Sequence, residues 1–132
     1  MANSSLALGS AGPRTITIDR SKEAGGLGLG FNGGELLLLA IGGCYSNDIF
    51  REATKRKIEV REVQISVNAD WGGDPVRAQN VSFKVVVDAN ATEEQILELI
   101  QHTDRVAEIP NSLRFGTEVE LAQANAISSR KE

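Results

Sequence analysis

Three features of this 132-residue chain could do chemistry. The first is its only cysteine, Cys44, followed one helical turn later by Asp48. The second is Glu35, at the head of the apolar run that leads into Cys44. The third is Gly28-Leu29-Gly30-Phe31-Asn32-Gly33, a formal match to the dinucleotide fingerprint. A thiol becomes a nucleophile only as the thiolate, which needs a cation or a base beside it. Asp48 is the wrong sign for that task, because a carboxylate close by favours the protonated thiol. A basic partner must come from elsewhere, and Arg14 and Arg20 are the nearest unassigned ones. An inert core cysteine is the competing reading, since free cysteine is among the most buried residue types.

The glycine motif fails in its context. A phosphate loop of this kind needs a strand running directly into it and an acidic residue closing the next strand, about 20 residues on. Here the preceding strand stops near Asp19, and the acidic residue at that distance, Asp48, falls in the middle of a helix. The expectation is that Gly25 to Gly34 is a loop that binds neither NAD nor FAD. With one cysteine and one histidine a zinc site of the usual ligands is not expected. No cofactor is expected at all.

The elements that must position these residues read as one α+β domain. Arg14 to Asp19 alternates, with Ile16 and Ile18 on one face, and reads as the second arm of a hairpin whose first arm is Ser4 to Leu8 and whose turn is Gly9 to Pro13. Glu35 to about Lys57 reads as a long helix, opened by a capping box from Asn32 to Glu35. Its first part, Leu36 to Ile41, is apolar all round and predicts burial on every side. Its second part sets Ile49, Phe50 and Ala53 against a polar face of Arg51, Glu52, Lys55 and Arg56. Gly42 and Gly43 inside it cost about 1 kcal/mol each relative to alanine, so a second backbone should pack closely there. Val63 to Trp71 and Val81 to Val87 alternate as strands around the turn Gly72-Gly73-Asp74-Pro75. Thr92 and Gln95 open a second helix that runs to Val106, Pro110 ends it or starts the next turn, and Thr117, Val119 and Leu121 suggest a last strand. The predicted order is ββαββαβ over residues 1–132, with about 1–12 and 124–132 as flexible ends.

The formal charge of −4 and pI near 5.1 exclude the basic face that nucleic-acid binding requires. The longest apolar run, Leu36 to Ile41, is too short to span a membrane. A lone cysteine and no visible secretion signal suit a reducing cytoplasm.

The stretch Glu35-Leu36-Leu37-Leu38-Leu39-Ala40-Ile41-Gly42-Gly43-Cys44, with Lys55-Arg56-Lys57-Ile58 beyond it, resembles the OsmC/Ohr family of osmotically inducible and organic hydroperoxide resistance proteins. The likeness extends from Thr15-Ile16-Thr17-Ile18-Asp19 to Pro110-Asn111-Ser112-Leu113-Arg114 and Glu118-Val119-Glu120-Leu121. It implies two chains interlocked as an obligate homodimer, with the central helices buried between sheets and the sites at the subunit interface. It implies that Cys44 attacks a peroxide oxygen and becomes a sulfenic acid, helped by an arginine and a glutamate. For these roles Arg14 is the better of the two arginines and Glu35 matches the less characterised members of the family, with Asp48 and Tyr45 lining the site.

Three positions depart from the family pattern. No cysteine stands near Ala107, where the second, disulfide-forming one belongs. The glutamate of the peroxidase members aligns with Gly34, one position before Glu35. The N-terminal hairpin is short, which leaves Arg14 as the better of two arginines. An external thiol would therefore have to regenerate Cys44. At about 1.5 Å per residue, Glu35 lies about 13 Å from Cys44 along a straight helix, so it can serve that thiol only from a partner chain. The alternative function is a non-catalytic dimer that binds a small apolar ligand at the interface.

Overall fold

The computed structural model describes residues 4–130. A short hairpin, β1 (Ala7–Ala11) and β2 (Arg14–Ile18), leads through a 3-10 turn at Lys22–Ala24 into the long helix α1 (Gly33–Lys55). A long hairpin follows, β3 (Glu59–Gly72) with β4 (Arg77–Asn90), then α2 (Glu93–Val106) and α3 (Glu108–Arg114). Both hairpins are antiparallel two-stranded sheets. The α+β class and the expected order of the first six elements hold.

Local chemistry sets the boundaries. Asn32 accepts from the Glu35 amide at 2.8 Å while Glu35 accepts from the Asn32 amide at 3.0 Å, so the reciprocal cap fixes where α1 begins. The helix closes where Lys57 turns left-handed (φ 55°) and the Ile58 amide reaches back to the Ala53 carbonyl. Thr92 and Gln95 form the same reciprocal box at the start of α2. Pro110 lies in the first turn of α3, where its missing N–H costs nothing, so it helps to start that helix.

The inward side chains of β3 and β4 pair across the ladder as Val63 with Val87, Ile65 with Val85 and Val67 with Phe83. They form a half-buried apolar face beneath α1. Tyr45, Ile49 and Ala53 of α1 meet Leu99 of α2 and Ala107 on that face as one buried cluster, and Ile41 is buried as well. Tyr45 stacks obliquely on Phe83, with centroids 5.1 Å apart, and its hydroxyl donates to the Ile100 carbonyl at 2.8 Å.

Several expectations need correction. The first strand lies at Ala7–Ala11 and the turn at Gly12, whose φ of +59° suits glycine, so Gly9 stands in the strand rather than in the turn. The expected last strand, Thr117 to Leu121, is not formed: Val119 is 95 % and Leu121 85 % exposed. A strand needs a neighbour for its amides, and among the described residues no strand pairs with this segment. Leu36 to Ile41 is not buried all round: Ile41 is 1 % exposed but Leu39 is 52 %. Phe50 is also exposed, whereas Glu52, expected on the solvated face, is buried. On the uncovered side of α1 a cleft of about 330 Å³ opens between Leu38, Leu39, Gly43 and the β3 residues Val63, Ile65 and Val67.

Candidate functional site

Cys44 is half-buried near the middle of α1, and its Sγ lies 3.7 Å from Asp48 Oδ2. Helical spacing places Cys44, Asp48 and Glu52 on one stripe, each a turn apart. Asp48 and Glu52 are both buried, and neither stands alone. Arg51 links them: its Nη1 is 3.1 Å from Asp48 Oδ1 and its Nε donates to Glu52 Oε2 at 3.1 Å. The same Nη1 lies 3.8 Å from Glu108 at the head of α3. Lys55 Nζ also reaches Glu52, at 3.0 Å, and His102 Nε2 of α2 shares a 2.7 Å hydrogen bond with its other oxygen. The contacts from Lys55 and then Arg51 and His102 outweigh burial and hold the Glu52 carboxyl down to about 2, so it is ionised at neutral pH.

The stripe is a chain of charges that starts at the thiol, with its two carboxylates buried and its cations Arg51 and Lys55 reaching solvent. Sequence reasoning found Cys44 and Asp48 together, as the structure has them. It missed Arg51, Glu52 and His102 as parts of the same site. The spacings Asp48–Arg51 and Glu52–Lys55 were visible, but on the sequence they read as a solvent face. The two carboxylates are buried while Arg51 and Lys55 stay largely exposed, and α2 and α3 both pack on α1.

The other expected site residues lie elsewhere in the single chain. Glu35 caps α1 through Asn32. Tyr45 points into the core rather than toward Cys44, and burial, with Asp104 nearby, pushes its phenol pKa up, so it stays neutral. Arg14 begins β2 in a hairpin that packs chiefly on itself, and among the described residues its side chain has no hydrogen-bond or ion-pair partner.

The glycine-rich segment is a closed structure. The carboxylate of Asp19, buried at the end of β2, accepts from the amides of Leu27 (3.0 Å), Leu29 (3.2 Å) and Arg20 (2.8 Å), and from Ser5 Oγ (2.6 Å). Amides that would cradle a phosphate are therefore spent on a carboxylate of the same chain. These contacts, that from Ser5 foremost, hold Asp19 below the usual aspartate range. Glycine is required where the loop presses on β2: a Cβ at Gly26 would stand 2.1 Å from the Arg20 carbonyl oxygen, and one at Gly30 2.2 Å from that of Thr17. Among the described residues, no group of three His, Cys, Asp or Glu side chains converges as metal ligands would.

The family model of the OsmC-like proteins matches residues 25–122, from the glycine loop through the segment beyond α3. The chain belongs to the OsmC-like family. Its fold is that of an OsmC-like protein from Mycoplasma pneumoniae, 18 % identical, with a TM-score of 0.73 over 83 % of this chain and 79 % of that one. An organic hydroperoxide resistance protein OsmC from Legionella pneumophila is 19 % identical, with a TM-score of 0.54 over 86 % and 92 %. An OsmC-like hydroperoxide resistance protein from Jannaschia sp. gives 18 % and 0.54 over 90 % and 74 %. No curated protein matches the chain significantly. At these identities the OsmC-like structures establish the shared fold, and the chemistry has to be argued from the site. Among the described residues no helix is long and apolar enough to cross a membrane.

Proposed function

We propose that this OsmC-like chain is a thiol-dependent reductase of organic hydroperoxides, acting in oxidative stress as a homodimer. The observation that carries the reading is the lone, half-buried thiol of Cys44, placed at the head of a stripe of two buried, cation-paired carboxylates in a member of a family that includes hydroperoxide resistance proteins. The thiolate attacks the outer peroxide oxygen; an S–O bond forms, the O–O bond breaks, and the alkoxide leaves with a proton as the alcohol. Cys44 is left as a sulfenic acid. With no second cysteine in the chain, an external thiol condenses with it, releasing water and forming a mixed disulfide. A second equivalent of that thiol restores Cys44.

Glu35 and Arg14 enter this site from the partner copy. Glu35, nine residues from Cys44 on the same helix, is too far along it to serve that thiol within one chain. Arg14 lies on a hairpin that packs chiefly on itself, and the uncovered side of α1 is where a second helix would lie. Exposed Leu39 and half-buried Leu36 to Leu38 support this placement.

Intact mass after one equivalent of cumene hydroperoxide, with a sulfenic-acid trap present, tests the reading. A trapped adduct at Cys44, absent in Cys44→Ser and formed faster than on free cysteine, is the expected result. A rate no better than that of free cysteine removes the enzyme. The second reading would then take its place: a dimer holding a small apolar ligand in the cleft of Leu38, Val63, Ile65 and Val67.

A further inference from the structure

A cation of this chain meets the carboxylate that faces the Cys44 thiol: Arg51 closes on one oxygen of Asp48 at 3.1 Å while Cys44 Sγ lies 3.7 Å from the other. We propose that Arg51 is a positioning residue of the Cys44 site: by neutralising Asp48 and fixing its orientation, it lets a thiol that sits against a carboxylate ionise. The proposal rests on the thiol chemistry proposed above.

The charges around the thiol can be enumerated. On α1 and its C-cap they are Asp48, Arg51, Glu52, Lys55 and Arg56, the last 3.8 Å from Glu52 Oε1; α3 adds Glu108, 3.8 Å from Arg51. From α2, His102 faces Glu52, and Glu98 faces Arg56. The strand β3 turns Val63, Ile65 and Val67 toward α1, and no charge. Alone, the Asp48 carboxylate would hold the proton on sulfur. Arg51 offsets it. Glu52 draws on the same guanidinium, but Lys55 on the same Glu52 oxygen and His102 on the other also answer that carboxylate, which leaves Arg51 available to Asp48. Among these groups only Arg51 touches both carboxylates of the stripe and also reaches α3. Its five fixed donors suit such a bridge, whereas a lysine makes a single point contact.

The test is the rate of Cys44 alkylation by iodoacetamide between pH 5 and 10 on the full-length protein. Arg51→Ala should be roughly three- to tenfold slower at pH 7, with its profile displaced to higher pH, and Arg51→Lys should recover part of the loss. In an Asp48→Asn background the Arg51→Ala effect should largely vanish, because the two act as one unit. Arg61→Ala, an exposed charge on β3, should leave the profile in place. An Arg51→Ala profile superimposable on the wild type overturns the proposal, as does an equal slowing with and without Asp48. Should Arg51→Ala fail to fold, Arg51→Lys in the two backgrounds decides in the same way. Alkylation needs no peroxide. A protein that behaves as expected here, yet reacts with cumene hydroperoxide no faster than free cysteine, would lose the proposed function and keep this assignment.

Discussion

Cys44 faces a carboxylate: its Sγ lies 3.7 Å from Asp48 Oδ2, one turn along the same helix. That geometry sets the resting state of the thiol. An S–H donor and a carboxylate acceptor are a satisfied pair, whereas a thiolate and a carboxylate at that distance repel. Asp48→Asn should therefore speed alkylation of Cys44 at pH 7, by roughly three- to tenfold, because it removes the anion and keeps an acceptor oxygen. Iodoacetamide kinetics check this, and a slower Asn variant would mean that Asp48 takes the proton rather than holding it.

Glu52 makes acid stability testable. Its carboxyl is held to about 2, first by Lys55 and then by Arg51, while its unfolded value is 4.5. A group depressed on folding contributes stability that is full above its unfolded pKa and is lost as pH falls through the folded one. The urea midpoint of the wild type should therefore fall as pH drops from about 5 toward 2. Glu52→Gln should be less stable at neutral pH and show a shallower acid limb. Parallel limbs in the two proteins would remove Glu52 from the account.

The glycine loop separates structural glycines from permissive ones. Gly26→Ala and Gly30→Ala force a methyl against backbone oxygens at 2.1 and 2.2 Å, where neither atom can swing aside. Each should cost at least about 1–3 kcal/mol, the usual range for overpacking. Gly33 has an ordinary helical backbone and nothing within 4 Å of its missing Cβ. Gly33→Ala should be neutral or stabilising by up to about 1 kcal/mol. Equilibrium denaturation of the three variants, side by side, reads the contrast.

How much of this was legible in the sequence follows from where each signal lives. Caps and alternation are local, so both capping boxes and the long hairpin could be read from residue order. The glycine segment could be read as a loop, but its own logic, Asp19 gathering the amides of Leu27 and Leu29, needs the loop's path in space. The charge chain needed tertiary knowledge too. Arg51, Glu52 and Lys55 look like a solvent face until α2 brings His102 across it. Thr117 to Leu121 alternates as a strand should, yet a strand forms only beside another, and among the described residues no strand pairs with it.

Gly43 decides whether the uncovered side of α1 is an interface. Within one chain its missing Cβ meets nothing within 4 Å, whereas a Cβ at Gly42 would press on Val67 Cγ2 at 3.2 Å. Gly42 is explained by β3; Gly43 is not explained by anything in its own chain. If the protein is a monomer, Gly43→Ala should stabilise it by about 1 kcal/mol, the ordinary gain of alanine over glycine inside a helix. If a second α1 lies against that face, as the homodimer requires, the same methyl intrudes on a close helix contact and the gain is lost. Gly43→Leu should then split the dimer, because overpacking of that kind costs typically about 1–3 kcal/mol in each of two symmetric contacts. Equilibrium sedimentation at low micromolar concentration should give twice the chain mass for the wild type and a concentration-dependent fall toward the single mass for Gly43→Leu. A folded wild-type monomer that gains stability from Gly43→Ala would defeat the dimer, and with it the proposed route for Glu35 and Arg14 to Cys44.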